Sequence, residues 1–197
     1  MNPHASALPH LLSIVGSPRR DGNCDALTAE ATSTAVAAGA TAEIIHLNDL
    51  TLHPCSACNG CRVESAGRRR CVVDDDMQPL YDKLAGCDGP LIATPVYWWG
   101  PSAQTKLFVD RWYGVTDRRA TFAGKPLGII VASGSGSPAM ADHVLGPFRS
   151  IANYLGMPWA GEVLVSGKAV GQALDDRRSA AKAADLGRRL RELAARR

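Results

Sequence analysis

The stretch His10-Leu11-Leu12-Ser13-Ile14-Val15-Gly16-Ser17-Pro18-Arg19-Arg20-Asp21-Gly22-Asn23-Cys24 decides the fold. His10–Val15 is a short, mostly apolar run that ends in Gly16, the signature of a buried strand. Asp25–Ala38 is Ala-rich, carries Leu27 and Val36, and stops at Gly39, so it reads as a helix. The segment between them holds glycines that let backbone N–H groups curl inward, Ser17 and Asn23 as side-chain donors, and Arg19 as a charged fork. With a helix N-terminus behind it, this is a cup for a phosphate group. It lacks the Gly-Lys-Ser/Thr of a nucleoside-triphosphate loop and the spacing Gly-x-Gly-x-x-Gly, so a terminal phosphate is the better match. A plain surface turn is the alternative.

The same alternation continues along the chain. Strands are expected at Ala42–Leu47, Pro90–Thr94, Pro126–Ala132 and Ala160–Val165. Helices are expected from Asp75 to about Ala85 with Asp74 as cap, then over Ser102–Tyr113, Ala139–Leu155 and about 176–195, where Leu186, Leu190 and Leu193 share one face. Solidly apolar strands alternating with helices imply a parallel sheet covered on both faces. Five such strands suit an α/β, flavodoxin-like three-layer sandwich with a five-stranded parallel sheet in the order 2-1-3-4-5. Ligands then sit at the C-terminal ends of the strands, which directs attention to the loops after strands 1, 3 and 4.

Composition sets the outer limits. The chain has 197 residues, 46% hydrophobic and 21% charged, which is ordinary for a globular protein and enough for one domain, 1–197, with a cysteine-rich loop at 48–73. No apolar run approaches the length of a membrane span, and residues 1–10 lack the pattern of a signal peptide, so a cytoplasmic protein without a membrane partner is expected. The net charge of +3 comes from the tail, where residues 175–197 carry eight basic and four acidic side chains. The rest is about neutral and offers no nucleic-acid face.

Six cysteines are the unusual number, and Cys55, Cys58, Cys61 and Cys71 fall within 17 residues. In a chain without secretory features this density points to metal or redox chemistry. Three thiolates spaced Cys-x2-Cys-x2-Cys can wrap one face of an iron–sulfur cubane, and a fourth closes it. Zinc, a thiol–disulfide site and a metal-free loop are the alternatives. Cys87 leads into a strand and belongs with the core. Arg68–Arg70 is an anion-attracting run or a solvated loop. Asp74, Asp75 and Asp76 suit a helix N-terminus better than a cation site. His46 and His53 make no Ser-His-Asp or Cys-His pattern, which leaves hydrolase chemistry unsupported.

Four pieces of this sequence, in order, resemble the NADPH-dependent FMN reductase family of flavodoxin-like proteins. They are Gly16-Ser17-Pro18-Arg19-x-x-Gly22-Asn23, Asp75-Asp76-Met77, Thr94-Pro95-Val96-Tyr97-Trp98 and Lys106-x-x-x-Asp110-Arg111. The resemblance runs from about residue 11 to 165. It implies that Ser17, Arg19, Asn23 and Cys24 bind the FMN phosphate, although the family has Ser or Thr where this chain has Cys24, and a thiol is a weak donor. It implies that Pro95, Val96, Tyr97 and Trp98 border the isoalloxazine ring. Trp98 and Trp99 also suit a subunit interface or the core. The loop Ser133-Gly134-Ser135-Gly136 reads as a second wall, with Ser133, Gly134 and Ser135 as donors near the ring. It is a poor dinucleotide fingerprint, because no acidic residue follows at the needed distance. Lys106, Asp110 and Arg111 are expected in ion pairs.

The cysteine loop resembles that of the iron–sulfur flavoproteins, a subset that carries a compact four-cysteine motif and a [4Fe-4S] cluster. The nine residues between Cys61 and Cys71 exceed the usual gap. The resemblance therefore implies an FMN-dependent oxidoreductase with NAD(P)H as co-substrate, a small-molecule electron acceptor such as a quinone or flavin, and a homodimer or homotetramer. A non-catalytic electron carrier and a cysteine-based redox or metal sensor are the other readings.

Overall fold

Alternation along each apolar run separates two cores. Leu11 and Val15 point to one face of the sheet, Leu12 and Ile14 to the other, and the same split divides Leu91 and Ala93 from Ile92, and Ile130 from Ile129 and Val131. A sheet apolar on both faces needs a helical layer on each side. The computed structural model, which describes residues 8–63, 71–134, 138–167 and 172–197, has that three-layer arrangement.

Its strands are β1 (His10–Val15), β2 (Thr41–His46), β3 (Gly89–Tyr97), β4 (Gly100–Pro101), β5 (Leu127–Ser133) and β6 (Trp159–Ser166). Its helices are α1 (Asn23–Ala37), α2 (Met77–Gly86), α3 (Ala103–Asp110), α4 (Arg118–Phe122), α5 (Pro138–Leu155), α6 (Gln172–Asp175) and α7 (Arg177–Ala194). The five long strands are parallel in the order β2-β1-β3-β5-β6, which is the expected order. Leu27, Ala31 and Ala35 of α1 and Leu186 and Leu190 of α7 cover one face. Met77, Leu80 and Leu84 of α2, Phe108 of α3, Phe122 of α4, and Leu145 and Phe148 of α5 cover the other.

Several details differ from the expectation. The sheet has a sixth strand, because β3 runs on to Tyr97 and folds back through Trp98-Trp99 into β4, which pairs with it antiparallel. The third helix ends at Asp110 and continues as a tight 3₁₀ turn over Arg111–Gly114, before the unforeseen α4. Helix α2 begins at Met77 rather than Asp75, and Asp74 does not cap it: the Asp75 carboxylate turns to Arg111 instead. None of the described helices is long and apolar enough to cross a membrane.

Candidate functional site

Parallel strands present their C-terminal ends on one edge, and the loops after β1, β3 and β5 meet there around a cavity of about 340 Å³. Ser17, Arg19, Gly22, Asn23 and Cys24 line it from the first loop, Pro95, Val96 and Tyr97 from the second, and Ala132, Ser133 and Gly134 from the third. Its volume falls within the range of small-molecule sites. Gly167, next to Asn23, also lines it. Ser135 and Arg68–Arg70 lie outside the described residues.

The first loop is organised for an anion. Helix α1 has no side-chain N-cap, so its leading N–H groups and the positive end of its dipole remain for a ligand. The Arg19 N–H donates to Ser17 Oγ (3.2 Å), and the exposed Arg19 side chain stands at the rim. Asn23 Oδ1 accepts from the Ala173 N–H (3.0 Å), which leaves its NH2 group as the donor. Asp21 holds a left-handed φ of 55° and its N–H donates to Asp25. Asp25 in turn meets His46 Nε2 at 2.7 Å. Burial alone would raise the Asp25 carboxyl, but the His46 and Asp21 donors outweigh it and hold the group below its ordinary value. Cys24 is buried under the loop, and burial pushes its thiol up to about 12, so it is a neutral thiol at pH 7.

Sequence reading missed the brace beneath this loop. The Ser102 hydroxyl donates to the Gly16 carbonyl (2.6 Å) and also caps α3, accepting from the Thr105 N–H (3.2 Å). The Ser102 N–H and the Thr105 hydroxyl both donate to Thr94 Oγ1 (3.0 and 3.1 Å). All three side chains are fully buried. Gly16 is required by proximity: a Cβ there would stand 1.8 Å from Thr105 Oγ1. The Ser-x-x-Thr pattern before an apolar helix was the available signal.

At the mouth, Trp98 and Trp99 occupy the β3–β4 turn with φ of 48° and 60°, a left-handed conformation that bulky residues rarely adopt. Trp98 does not line the cavity; its side chain is 91% exposed and tilts against Trp99. Strain of this kind clusters at functional sites.

The four clustered cysteines are brought together elsewhere. Cys55, Cys58, Cys61 and Cys71 all border one small cavity of about 20 Å³, walled also by Arg111, Tyr113 and Gly114. Among the described residues no three thiol, imidazole or carboxylate groups are close enough to form a finished coordination sphere. The space holds about one water, so any larger group requires the thiols to part. Cys55 and Cys58 are exposed, so that side of the loop can yield. The Gly60 N–H, and then the Ser56 hydroxyl, hold the Cys58 thiol below its ordinary value.

The inner wall is rigid. The Arg111–Asp75 pair is 1% exposed on each side, with Nη1 to Oδ2 at 2.6 Å and Nη2 to Oδ1 at 3.0 Å. Arg111 Nη1 also donates to the His53 carbonyl (2.8 Å), and Nη2 donates to Cys71 Sγ (3.4 Å). Asp75 accepts from the N–H groups of His53 and Met77. Burial would raise the Asp75 carboxyl, but Arg111 and those donors hold it below its ordinary value. One ion pair thus ties the segment before Cys55 to the segment after Cys71. A Cβ on Gly114 would meet Tyr81 Oη at 2.5 Å and Cys71 Cβ at 2.9 Å, so only glycine admits Cys71 there. The expected Lys106–Asp110 pair forms on the surface of α3, and Cys87 lies in the core.

Comparison with known proteins agrees with this geometry. The chain is 36% identical over 115 residues to an iron-sulfur flavoprotein of Methanosarcina thermophila, a match covering 58% of this chain and 57% of that protein. It is 30% identical over 184 residues to an iron-sulfur flavoprotein of Archaeoglobus fulgidus, covering 92% and 78%. The chain thus spans little more than half the length of the first of these relatives. The solved structure described as the Trp repressor binding protein from Bacillus subtilis superposes with a TM-score of 0.68 at 27% identity, covering 89% of this chain and 99% of that one. Residues 9–171 match the family model described as NADPH-dependent FMN reductase, and the chain belongs to that family.

Proposed function

We propose that this chain is an FMN-dependent oxidoreductase that takes hydride from NAD(P)H and passes electrons to a small-molecule acceptor, a quinone or flavin, with a [4Fe-4S] cluster held by Cys55, Cys58, Cys61 and Cys71. The observation that carries the reading is the single cavity lined both by the donor loop Ser17–Cys24 and by Pro95–Tyr97 and Ala132–Gly134. Ser17, Arg19, the Asn23 NH2 group and the first N–H groups of α1 hold the phosphate. Pro95, Val96 and Tyr97 give the flat ring an apolar wall, while Ser133 and Gly134 serve its polar edge. Bound FMN supplies the hydride-accepting chemistry, and the chain orients it. The four thiols around one cavity are a donor set suited to a cluster, which supplies one-electron transfer when bound. The exposed rings of Trp98 and Trp99 at the mouth support a second copy covering it in a homodimer or homotetramer.

The purified protein is expected to be yellow, to release about one FMN per chain and to oxidise NAD(P)H with a quinone present. A colourless protein that takes up no FMN would sink the reading. Anaerobic preparations are expected to contain iron and sulfide at about four each per chain. Zinc alone, or no metal, rejects the cluster and leaves the FMN reading intact.

A further inference from the structure

We propose that Arg111 is a positioning residue that sets the redox poise of the four-cysteine cavity, making added negative charge there more favourable. The inference rests on reading that cavity as the cluster site. Each electron taken up by such a cluster would add one negative charge with no protein bond made or broken; the two electrons of a hydride from NAD(P)H would be taken up by FMN and passed on one at a time. An added charge there responds to nearby fixed charges and to N–H donors on its sulfur ligands, most strongly on the buried side of the cavity.

Arg111 offers both. Its side chain is 1% exposed, it walls the cavity, and Nη2 donates to Cys71 Sγ at 3.4 Å. Arg111 Nε makes no hydrogen bond among the described residues, and the buried Tyr81 hydroxyl sits against both Cys71 and Arg111 on the same side. Asp75 moderates the guanidinium's charge from close by, since Nη2 donates both to Cys71 Sγ and to Asp75 Oδ1. Arg111 lines the cavity and touches Cys71 Sγ whereas Asp75 does neither, so the positive charge acts on the cavity at shorter range than the carboxylate.

The opposed charges give the test its discriminating power. A merely structural brace would be loosened by removing either partner, and both removals would act alike. If charge is the cause, the two act in opposite directions. Anaerobic holoprotein carrying Arg111→Gln, Arg111→Lys or Asp75→Asn is titrated with dithionite and mediators. Cluster absorbance and the signal of the reduced cluster in electron paramagnetic resonance are followed, and iron and FMN are measured in each sample. At a fixed potential the reduced-to-oxidised ratio is expected to fall about tenfold in Arg111→Gln, which is about 59 mV for a one-electron couple. It is expected to rise in Asp75→Asn and to fall least in Arg111→Lys.

Shifts of the same sign in Arg111→Gln and Asp75→Asn, or no shift in variants that keep iron and FMN, overturn the proposal. Loss of iron from all three variants also overturns it, in favour of a brace alone. Wild-type protein that holds FMN but no iron fails at the earlier step, by removing the cluster.

Discussion

Gly16→Ala is the substitution for which the structure specifies the largest effect from the fewest atoms. The added methyl would lie 1.8 Å from Thr105 Oγ1 and 3.1 Å from Thr105 Cβ. Neither side yields easily. The Gly16 N–H donates to the Ala93 carbonyl at 2.8 Å, its carbonyl accepts from Ser102 at 2.6 Å, and Thr105 is fully buried and bonded to Ser102 and Thr94. Overpacking a core contact costs about 1–3 kcal/mol, and displacing a buried hydroxyl from its partners adds about 1–3 kcal/mol. We therefore expect a loss of about 3–4 kcal/mol, a large share of the roughly 5–15 kcal/mol available to a domain.

The same displacement moves the Ser17–Cys24 loop, so FMN affinity falls with stability. Thr105→Ala removes the clashing oxygen. Ser102 and Thr94 keep other partners, so alone it costs about 1–2 kcal/mol. The double variant is expected to lose less than the sum of the two by at least about 1 kcal/mol. Urea unfolding followed by near-ultraviolet circular dichroism measures stability, and quenching of flavin fluorescence measures affinity. A Gly16→Ala protein with unchanged midpoint and unchanged FMN affinity, or strict additivity in the double variant, would refute the reasoning.

Three further outcomes follow from single groups. Arg19→Ala removes a charge-assisted contact worth about 1.5–3 kcal/mol, so FMN binding is expected to weaken by roughly 10- to 150-fold. Riboflavin, which lacks the phosphate, should bind as before, and an equal loss for both ligands would place Arg19 elsewhere. Asp25 has a folded-state pKa below its unfolded one, so its contribution to stability is present above about pH 3.9 and is lost as pH falls through the folded value. The denaturant midpoint is therefore expected to drop in acid, and to drop less steeply in Asp25→Asn; parallel curves would contradict this. Lys125 is fully buried and its ammonium caps the end of α2, donating to the carbonyls of Leu84 (2.8 Å) and Ala85 (2.7 Å). Lys125→Met removes the ammonium from both, leaving Leu84 only the weak Cys87 thiol donor, and is expected to cost about 1–3 kcal/mol in calorimetry, with FMN content unchanged.

The fold was legible because its signals are local. A six-residue, mostly apolar run in β1 and a helix stop at Gly39 can be read without neighbours, and parallel crossovers leave few arrangements. That economy also gathered Ser17, Arg19, Asn23, Cys24, Pro95, Val96, Tyr97, Ser133 and Gly134, which lie far apart in sequence, on one strand edge. What escaped is long-range. Strand β4 exists because the Trp98-Trp99 turn folds back, and positive φ at two tryptophans is the opposite of what local preference selects. Helix α2 begins two residues late because Asp75 and Asp76 accept from His53 and Thr51, more than twenty positions upstream. No local pattern separates such an aspartate from a helix cap.

The Asp75–Arg111 pair explains why two stretches that each look like surface decoration have to occur in the same chain. Asp75-Asp76-Met77 opens α2 and Asp110-Arg111 closes α3, 36 residues away. Together they make the fixed wall against which the cysteine loop is laid. Through Arg111 that wall carries Cys71, while Cys55 and Cys58 stand in solvent. A cavity of about 20 Å³ cannot widen from the Cys71 side without breaking a buried ion pair or driving Cys71 into Gly114 and Tyr81. Breaking a buried pair costs about 3–5 kcal/mol, whereas moving exposed thiols costs far less. The nine-residue gap before Cys71 therefore imposes little penalty. Loop-closure entropy grows only slowly with length, and the fourth thiol is positioned by Arg111 and Gly114.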